Sequence, residues 1–396
     1  MNNSIIILGD THLGKNVSQG KVGLGSTLNS RIIDQLNLLD WTLDKAIENH
    51  IENIIITGDV FEDPKPPPYL ITLFISWLKK CQVYNVGVHI IIGNHDILRT
   101  GNYYSSPLDI ISACELDGIH IYKDINTISI GASSFTLVPF RDRKSMNCNI
   151  NSEALSLLKD NFVYELASIP LTYHKVMIGH LAIEGSIPVG DEIDDMVNEL
   201  FCPLSMFEGY DYVWMGHVHK PQIMNKIPFI AHIGSMEISN FGESDQKKHI
   251  VIFDCNLGTF TTENIPTRKL KKLSINIPDD TEDATQYIYD CIEKEKDIDN
   301  AIIKLEISFS NPNLPSIQKS AIEKQLLSKG VFNISSISES KKITVTKKDG
   351  SSQMSTNLDV KSAIKIWAAS QVKDENKDLF IEYATKIVNS LKLESK

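Results

Sequence analysis

Seven residues of three chemical kinds recur in one setting along this chain: Asp10 and His12, Asp59, Asn94, His180, and His217 with His219. Each lies one or three residues after a glycine, and each of those glycines ends or closely follows a short apolar run. Ser4-Ile-Ile-Ile-Leu8 leads into Gly9-Asp10-Thr11-His12, Asn53-Ile-Ile-Ile-Thr57 into Gly58-Asp59, and Gly87-Val-His-Ile-Ile-Ile92 into Gly93-Asn94-His95-Asp96. Lys175-Val-Met-Ile178 leads into Gly179-His180, and Tyr212-Val-Trp-Met215 into Gly216-His217-Val218-His219. Carboxylate oxygen suits hard divalent cations, and imidazole nitrogen widens the choice to manganese, iron, zinc and cobalt. Seven mixed donors are too many for one ion and suit two, with a carboxylate such as Asp59 as bridge across ~3.5–4 Å. A pair of this kind clamps a phosphate, acidifies a bound water and stabilises the oxyanions of in-line attack.

Any one of these motifs alone has a plain explanation, since an Asp or His after a strand is usually a turn residue or a cap. Five of the chain's eleven histidines fall inside the motifs, however, each at a strand end. The pairs Gly93-Asn-His-Asp96 and Gly216-His-Val-His219 are more specific than a lone Gly-Asp. Adjacency assigns Asn94 to metal and turns His95 toward the substrate, where an imidazolium protonates a leaving alkoxide. Asp96 is expected to orient His95 or raise its pKa.

The apolar runs must position these groups. Their continuous β-branched character reads as strands buried on both faces, and ligands of open α/β sheets bind beyond the carboxyl ends of such strands. Between them lie helical patterns: Ile32, Leu36, Leu39, Leu43, Ala46 and Ile47 within Arg31 to Asn49, and Leu70, Leu73, Phe74, Trp77 and Leu78 within Pro68 to Lys80. Strands at Phe135 to Pro139 and His249 to Phe253 extend the pattern. The expected fold is α/β, a two-sheet core flanked by helices over residues 1–265. After Pro266-Thr-Arg-Lys-Leu-Lys-Lys272 the pattern changes to strand 273–277, helix 284–295, strand 301–309, helix 316–329 and strand 332–337, a small α+β unit of βαβαβ order over 266–340. Residues 341–357 have linker composition. Residues 358–396 read as two amphipathic helices, too short to build a core of their own.

The chain has 396 residues and a net charge of −11, so it is not a polycation, and nucleic-acid binding would need a local basic surface or the metals. Six dispersed cysteines form no CxxC pair, which argues against a zinc ribbon or disulfide framework and for a reducing compartment. No run reaches the length of a membrane span. The expected location is the cytoplasm, either bacterial or, for a phage-encoded chain, that of the host.

In this order the five motifs resemble the calcineurin-like metallophosphoesterases, and within them the SbcD nuclease family with its phage recombination-endonuclease members. Gly9-Asp-Thr-His-Leu-Gly14, Gly58-Asp-Val-Phe61 and Ile233-Gly-Ser-Met-Glu-Ile-Ser-Asn-Phe-Gly-Glu243 carry the closer likeness. The resemblance implies one metal on Asp10, His12, Asp59 and His219, and a second on Asp59, Asn94, His180 and His217, with His95 assisting phosphodiester cleavage. It implies two Mn2+ ions, with Mg2+ or another divalent as substitute, 3′-to-5′ exonuclease action on duplex DNA and endonuclease action on single strands. It further implies a homodimer of nuclease subunits, joined through the C-terminal helices to an SbcC-type ABC ATPase with coiled coils, and a DNA-capping role for the small domain. One position departs: where many members have a histidine after the Gly-Asp-x-Phe block, this chain has Glu62. A carboxylate there repels phosphate unless it binds metal or faces away, so the departure bears on exonuclease more than on endonuclease action.

Contacts to DNA are expected from Arg99 and Tyr103 after the third motif, from the Arg141, Arg143 and Lys144 cluster, and from Lys220. A second class of function, a small-substrate phosphatase or cyclic-nucleotide phosphodiesterase on the same scaffold, needs neither the unit after residue 265 nor the terminal helices. A non-catalytic scaffold would have lost ligands, and here none of the seven is missing.

Overall fold

The computed structural model describes residues 3–22, 27–100, 103–189, 199–310 and 317–341, all within one compact unit, Met1–Lys341. The expected C-terminal helical pair and all but the first residue of the expected linker lie outside the described residues. The strands are β1 (Ser4–Leu8), β2 (Asn53–Ile56), β3 (Gly87–Ile91), β4 (Leu98–Thr100), β5 (Tyr103–Ser105), β6 (Ile119–Tyr122), β7 (Asn126–Ile130), β8 (Ser133–Val138), β9 (His174–Gly179), β10 (Ala182–Ile183), β11 (Phe201–Cys202), β12 (Tyr212–Met215), β13 (Gln222–Lys226), β14 (Phe229–His232), β15 (His249–Asp254), β16 (Thr259–Asn264), β17 (Leu270–Ile277), β18 (Ile302–Phe309) and β19 (Asn333–Lys341). The helices are α1 (Ser30–Glu48), α2 (Pro68–Val83), α3 (Leu108–Ser112), α4 (Asn151–Ser168), α5 (Ala284–Lys294) and α6 (Lys319–Ser328).

Two six-stranded sheets form the larger part. One has the order β16-β15-β1-β2-β3-β6 and the other β13-β14-β12-β9-β8-β7. In each, four neighbouring strands run parallel (β1, β2, β3, β6; β14, β12, β9, β8); antiparallel β15 and β16 extend one edge of the first, and antiparallel β13 and β7 close both edges of the second. Side chains alternate across each strand, so an unbroken apolar run supplies two faces at once. Ile5, Ile7, Ile55 and Ile91 point from the first sheet into a shared core with Phe135, Leu137, Val176, Ile178 and Trp214 of the second. Their neighbours Ile6, Leu8, Ile54, Ile56, Val88 and Ile90 face outward onto Leu39 and Leu43 of α1 and Phe74, Trp77 and Leu78 of α2. Val138, Met177, Val213 and Met215 do the same on the second sheet against Leu158 and Phe162 of α4. Four layers, helix–sheet–sheet–helix, result. Because the two sheets pack face to face, the ends of β1, β2, β3, β9 and β12 open on one edge.

Residues 270–341 build a separate three-stranded parallel sheet, β17-β18-β19, with α5 and α6 as crossovers. It has its own core of Leu273, Ile275, Ile277, Ile303, Leu305 and Ile307 under Ile288, Ile292, Ile322 and Leu326. The near ends of its strands rest on the larger part through Leu270, Ile302 and Ile238. Arg268 adds a two-pronged ion pair to Asp34 of α1, at 2.7 and 2.5 Å, and lies 3.8 Å above the Phe332 ring.

Candidate metal centre

The loops that leave the strand ends put all seven expected ligands together, and all but Asn94 are at most 6% exposed. Backbone bonds draw the first two loops into register: His12 and Leu13 donate their N–H groups to the Asp59 and Val60 carbonyls at 2.9 and 2.8 Å, and Glu62 donates to Leu13 at 3.3 Å. Three of the seven sit in the left-handed backbone region, with φ of 43° at His12, 46° at Asp59 and 78° at His217. That conformation is unfavourable for residues with a Cβ and persists where the surroundings hold it, as at functional sites. Two glycines show how close the loops come. A Cβ on Gly93 would lie 2.1 Å from Asp59 Oδ1, and one on Gly216 would lie 2.3 Å from Asp10 Oδ1.

The expected donors fall into two groups, Asp10, His12 and His219 in one and Asp59, His180 and His217 in the other, and His12 also forms a third cluster with Glu62 and His95. His12 Nε2 and His219 Nε2 face each other at 2.8 Å. His180 Nε2 and His217 Nδ1 face each other at 3.3 Å, and the Asn94 Oδ1 lies 2.9 and 3.0 Å from the same two atoms. Asp59 Oδ2 reaches both groups, 3.2 Å from His180 Nε2 and 3.5 Å from His12 Nε2. Imidazole lone pairs converging on carboxylate and amide oxygen are the donor set that a divalent transition metal takes, so these residues fit such ions. Burial works against a charged His180, yet Asp59 and Asp10 raise its pKa to about 10.

Oxygen acceptors stand behind the outward nitrogens of the same rings, and hydrogen bonds to them set the tautomers of His180 and His217. His12 Nδ1 lies 2.8 Å from Glu62 Oε2, and His180 Nδ1 donates to the Thr57 carbonyl at 3.0 Å. His217 Nε2 pairs with Glu199, and His219 Nδ1 lies 3.9 Å from Glu243, itself paired with buried Lys248 at 2.8 Å. Asp10 is steadied by the Thr57 hydroxyl at 2.9 Å and the His217 N–H at 2.7 Å. Sequence reading did not assign roles to Thr57, Glu199 and Glu243. Thr57 adjoins a motif and Glu243 ends a quoted segment, whereas Glu199 carries no local signal and is found only through the fold.

His95 stands beside this cluster, its ring edge-on to His12 with centroids 4.9 Å apart. Its main-chain N–H donates to Asp59 Oδ1 at 2.8 Å and its ring Nδ1 meets the Glu62 carbonyl at 2.8 Å. Burial opposes protonation, but Asp59 and that carbonyl prevail and raise its pKa. The expectation that Asp96 orients the His95 ring is corrected by the geometry. The Asp96 carboxylate instead accepts the N–H groups of Val60, Phe61 and Gly93 at 3.0, 3.2 and 3.1 Å, because the sharp turns leave those donors without sheet partners. Burial and the Asp59 charge push Asp96 up to about 7.

The expected DNA contacts are not equivalent. Arg141 is engaged with the carbonyls of Phe140 and Lys123 and with Asp124, at 3.0, 2.8 and 3.3 Å. Arg99 pairs with Asp142 at 2.6 Å and lies over Tyr104. Arg143 reaches the Asn149 carbonyl at 3.4 Å, Lys144 is exposed and Lys220 half-buried. Tyr103 is described by its backbone only, in β5.

Residues 4–221, more than half of the chain, match the calcineurin-like phosphoesterase family. The chain is 25% identical to the SbcD component of the nuclease SbcCD from Escherichia coli K12 over 276 residues, 63% of this chain and 64% of that protein. The same figures hold for the protein of the O157:H7 strain. The chain thus spans a little under two-thirds of the length of the curated relatives it matches. A solved dimetal phosphatase from Danio rerio is 12% identical with a TM-score of 0.40, covering 66% of this chain and 98% of that one. The match over residues 4–221 and the convergence of the donors at the strand ends have one reading: the chain belongs to the calcineurin-like phosphoesterase family, as a metal-dependent phosphoester hydrolase.

Proposed function

We propose that this protein is the nuclease subunit of an SbcCD-like recombination or repair complex, cleaving DNA phosphodiesters as a single-strand endonuclease and a 3′-to-5′ duplex exonuclease. The observation that carries the reading is the reach of Asp59 Oδ2 to both donor groups, with the His95 ring 4.9 Å from His12. Asp10, His12, Asp59 and His219 would hold one ion, and Asp59, Asn94, His180 and His217 the other. When bound, a manganese pair supplies Lewis-acid polarisation of the phosphate and an acidified water. The chain's own part is to present the donors, with Thr57 and Glu199 fixing the tautomers of His180 and His217 and the Glu62 charge beside His12, and to keep Nε2 of His95 available. The Glu62 carbonyl occupies Nδ1 of His95, so Nε2 is the atom that hands a proton to the leaving 3′-oxygen.

In this reading residues 1–265 are the nuclease domain and 266–340 a DNA-capping domain. After the linker 341–357, residues 358–396 dock on an SbcC-type ATPase in the cytoplasm, and two nuclease subunits pair. Arg99, Tyr103, Arg143, Lys144 and Lys220 would meet the phosphate backbone, with Arg141 holding their loop. The test is cleavage of linear duplex and circular single-stranded DNA by the manganese-loaded full chain, beside p-nitrophenyl phosphate and a cyclic nucleotide. DNA cleavage is expected, and His95→Asn should lower it about 10²–10⁴-fold with manganese still bound. Intact DNA together with turnover of the small phosphoesters would overturn the proposal in favour of a phosphatase.

A further inference from the structure

Glu62 touches two rings through two different atoms. Its side-chain Oε2 lies 2.8 Å from His12 Nδ1, and its main-chain carbonyl lies 2.8 Å from His95 Nδ1. The carbonyl only accepts, so the His95 ring is set as its Nδ1–H tautomer, and the carboxylate 2.8 Å from His12 Nδ1 favours a proton on that nitrogen by its charge. The lone pair of His12 is then on Nε2, the atom that faces His219 and Asp59. Lys15 completes the arrangement, its ammonium 3.1 Å from each Glu62 oxygen, and so holds the carboxylate in place. The register is built in rather than incidental. The loop of residues 59–62 is zipped to residues 12–13 by three backbone bonds and a parallel bridge between Leu13 and Phe61.

We infer that Glu62 is a positioning residue with separable duties: its carboxylate sets how tightly the Asp10–His12–His219 group holds its ion, while its carbonyl orients His95 whatever side chain the position carries. The inference rests on the metal and His95 roles proposed above. The carboxylate is turned to His12 and Lys15, which answers how an acidic residue is accommodated beside a phosphate site. Carboxylates behind metal-binding histidines typically change metal affinity 10–100-fold when removed.

The experiment is calorimetric titration of the metal-free full chain with manganese chloride, for wild type, Glu62→Ala and Glu62→Gln, with thermal melting and the pH profile of DNA cleavage at saturating manganese alongside. Glu62→Ala is expected to weaken one of two sites about 10–100-fold and to leave the other unchanged. At saturating manganese the pH profile of its remaining cleavage should be unshifted, because the carbonyl on His95 remains. Glu62→Gln keeps an acceptor without the charge and should fall between. Wild-type affinities at both sites in both variants would overturn the inference, as would equal weakening of both sites with a lowered melting temperature, the mark of a purely structural role. A wild-type chain that binds no manganese would instead overturn the metal reading itself, and this inference with it.

Discussion

Histidine serves this molecule in two ways, and its neighbours decide which. At the strand ends the rings present one nitrogen to the cluster and give the other to Glu62, Thr57 or Glu199. His89, inside β3, gives both away. Its Nε2 donates to Asn53 Oδ1 at 3.2 Å, so its Nδ1 accepts from the Tyr122 hydroxyl at 2.8 Å, and the exposed His120 stacks on it at 5.0 Å. Burial, then the neighbouring His120, lowers its pKa from 6.5 to about 4. The folded state therefore binds fewer protons than the unfolded state between those two values. The stability this neutral ring contributes is present above pH 6.5 and is lost as the pH falls towards 4. Urea unfolding at pH 7 and pH 4.5 should show wild type losing about 2–3 kcal/mol more than His89→Gln over that interval. Equal losses in the two proteins would show that His89 does not titrate in this way.

At the scale of elements, the site depends on how tightly strand ends can be packed. At Gly93 and Gly216 the residue before a donor of the cluster is glycine because another donor, Asp59 or Asp10, occupies the space of a Cβ. At Gly93 the conflict includes the Asp59 backbone nitrogen at 2.3 Å, which no rotamer change relieves. Gly93→Ala must therefore displace the β2 loop that carries Asp59. A displacement near 1 Å costs about 10² in rate, so cleavage should fall at least that far, while circular dichroism shows the sheets unchanged. An active Gly93→Ala enzyme would mean that the Asp59 position is not needed to this tolerance. Asp96 works at the same scale: by collecting N–H groups from the β2 and β3 loops it locks together the two segments that carry Asp59 and Asn94.

For the whole described unit, the question is how the β17–β19 sheet is held beside the catalytic edge. The ties are few and specific. Leu270 and Ile302 meet Ile238, Asn333 donates to the Gln19 carbonyl at 2.7 Å, and Arg268 grips Asp34. The Arg268–Asp34 pair is mostly buried, 13% and 11% exposed, and Asp34 is shared with Arg31 at 3.2 Å, so removing Arg268 takes away one of its two cationic partners. Arg268→Ala should cost about 1.5 kcal/mol, the scale of losing hydrogen bonds to a charged group, and loosen this contact first. Hydrogen exchange in β17 and proteolysis near residues 266–269 should both rise before the two large sheets respond. Unchanged protection there would place the attachment in the apolar contacts and in the polar ties of Asn333 to Gln19 and Lys21 to Phe332.

The five apolar runs, the glycines after them and the ligand types are local features, and periodicity with residue chemistry suffices to read them. That is why β1, β2, β3, β9 and β12, the helices from Ser30 and Pro68, and the βαβαβ order after residue 270 were legible in the sequence, together with seven candidate ligands and His95. Tertiary structure alone decided the rest. Which atom of each ring faces inward, the seat of Glu62 on His12, the link from Glu199 to His217 across 18 residues, and the turn of Asp96 away from His95 all depend on loops from different strands meeting. A sequence records which groups a chain owns. Directional bonds between groups far apart in it are settled only when packing of the two sheets brings the loops within hydrogen-bond range.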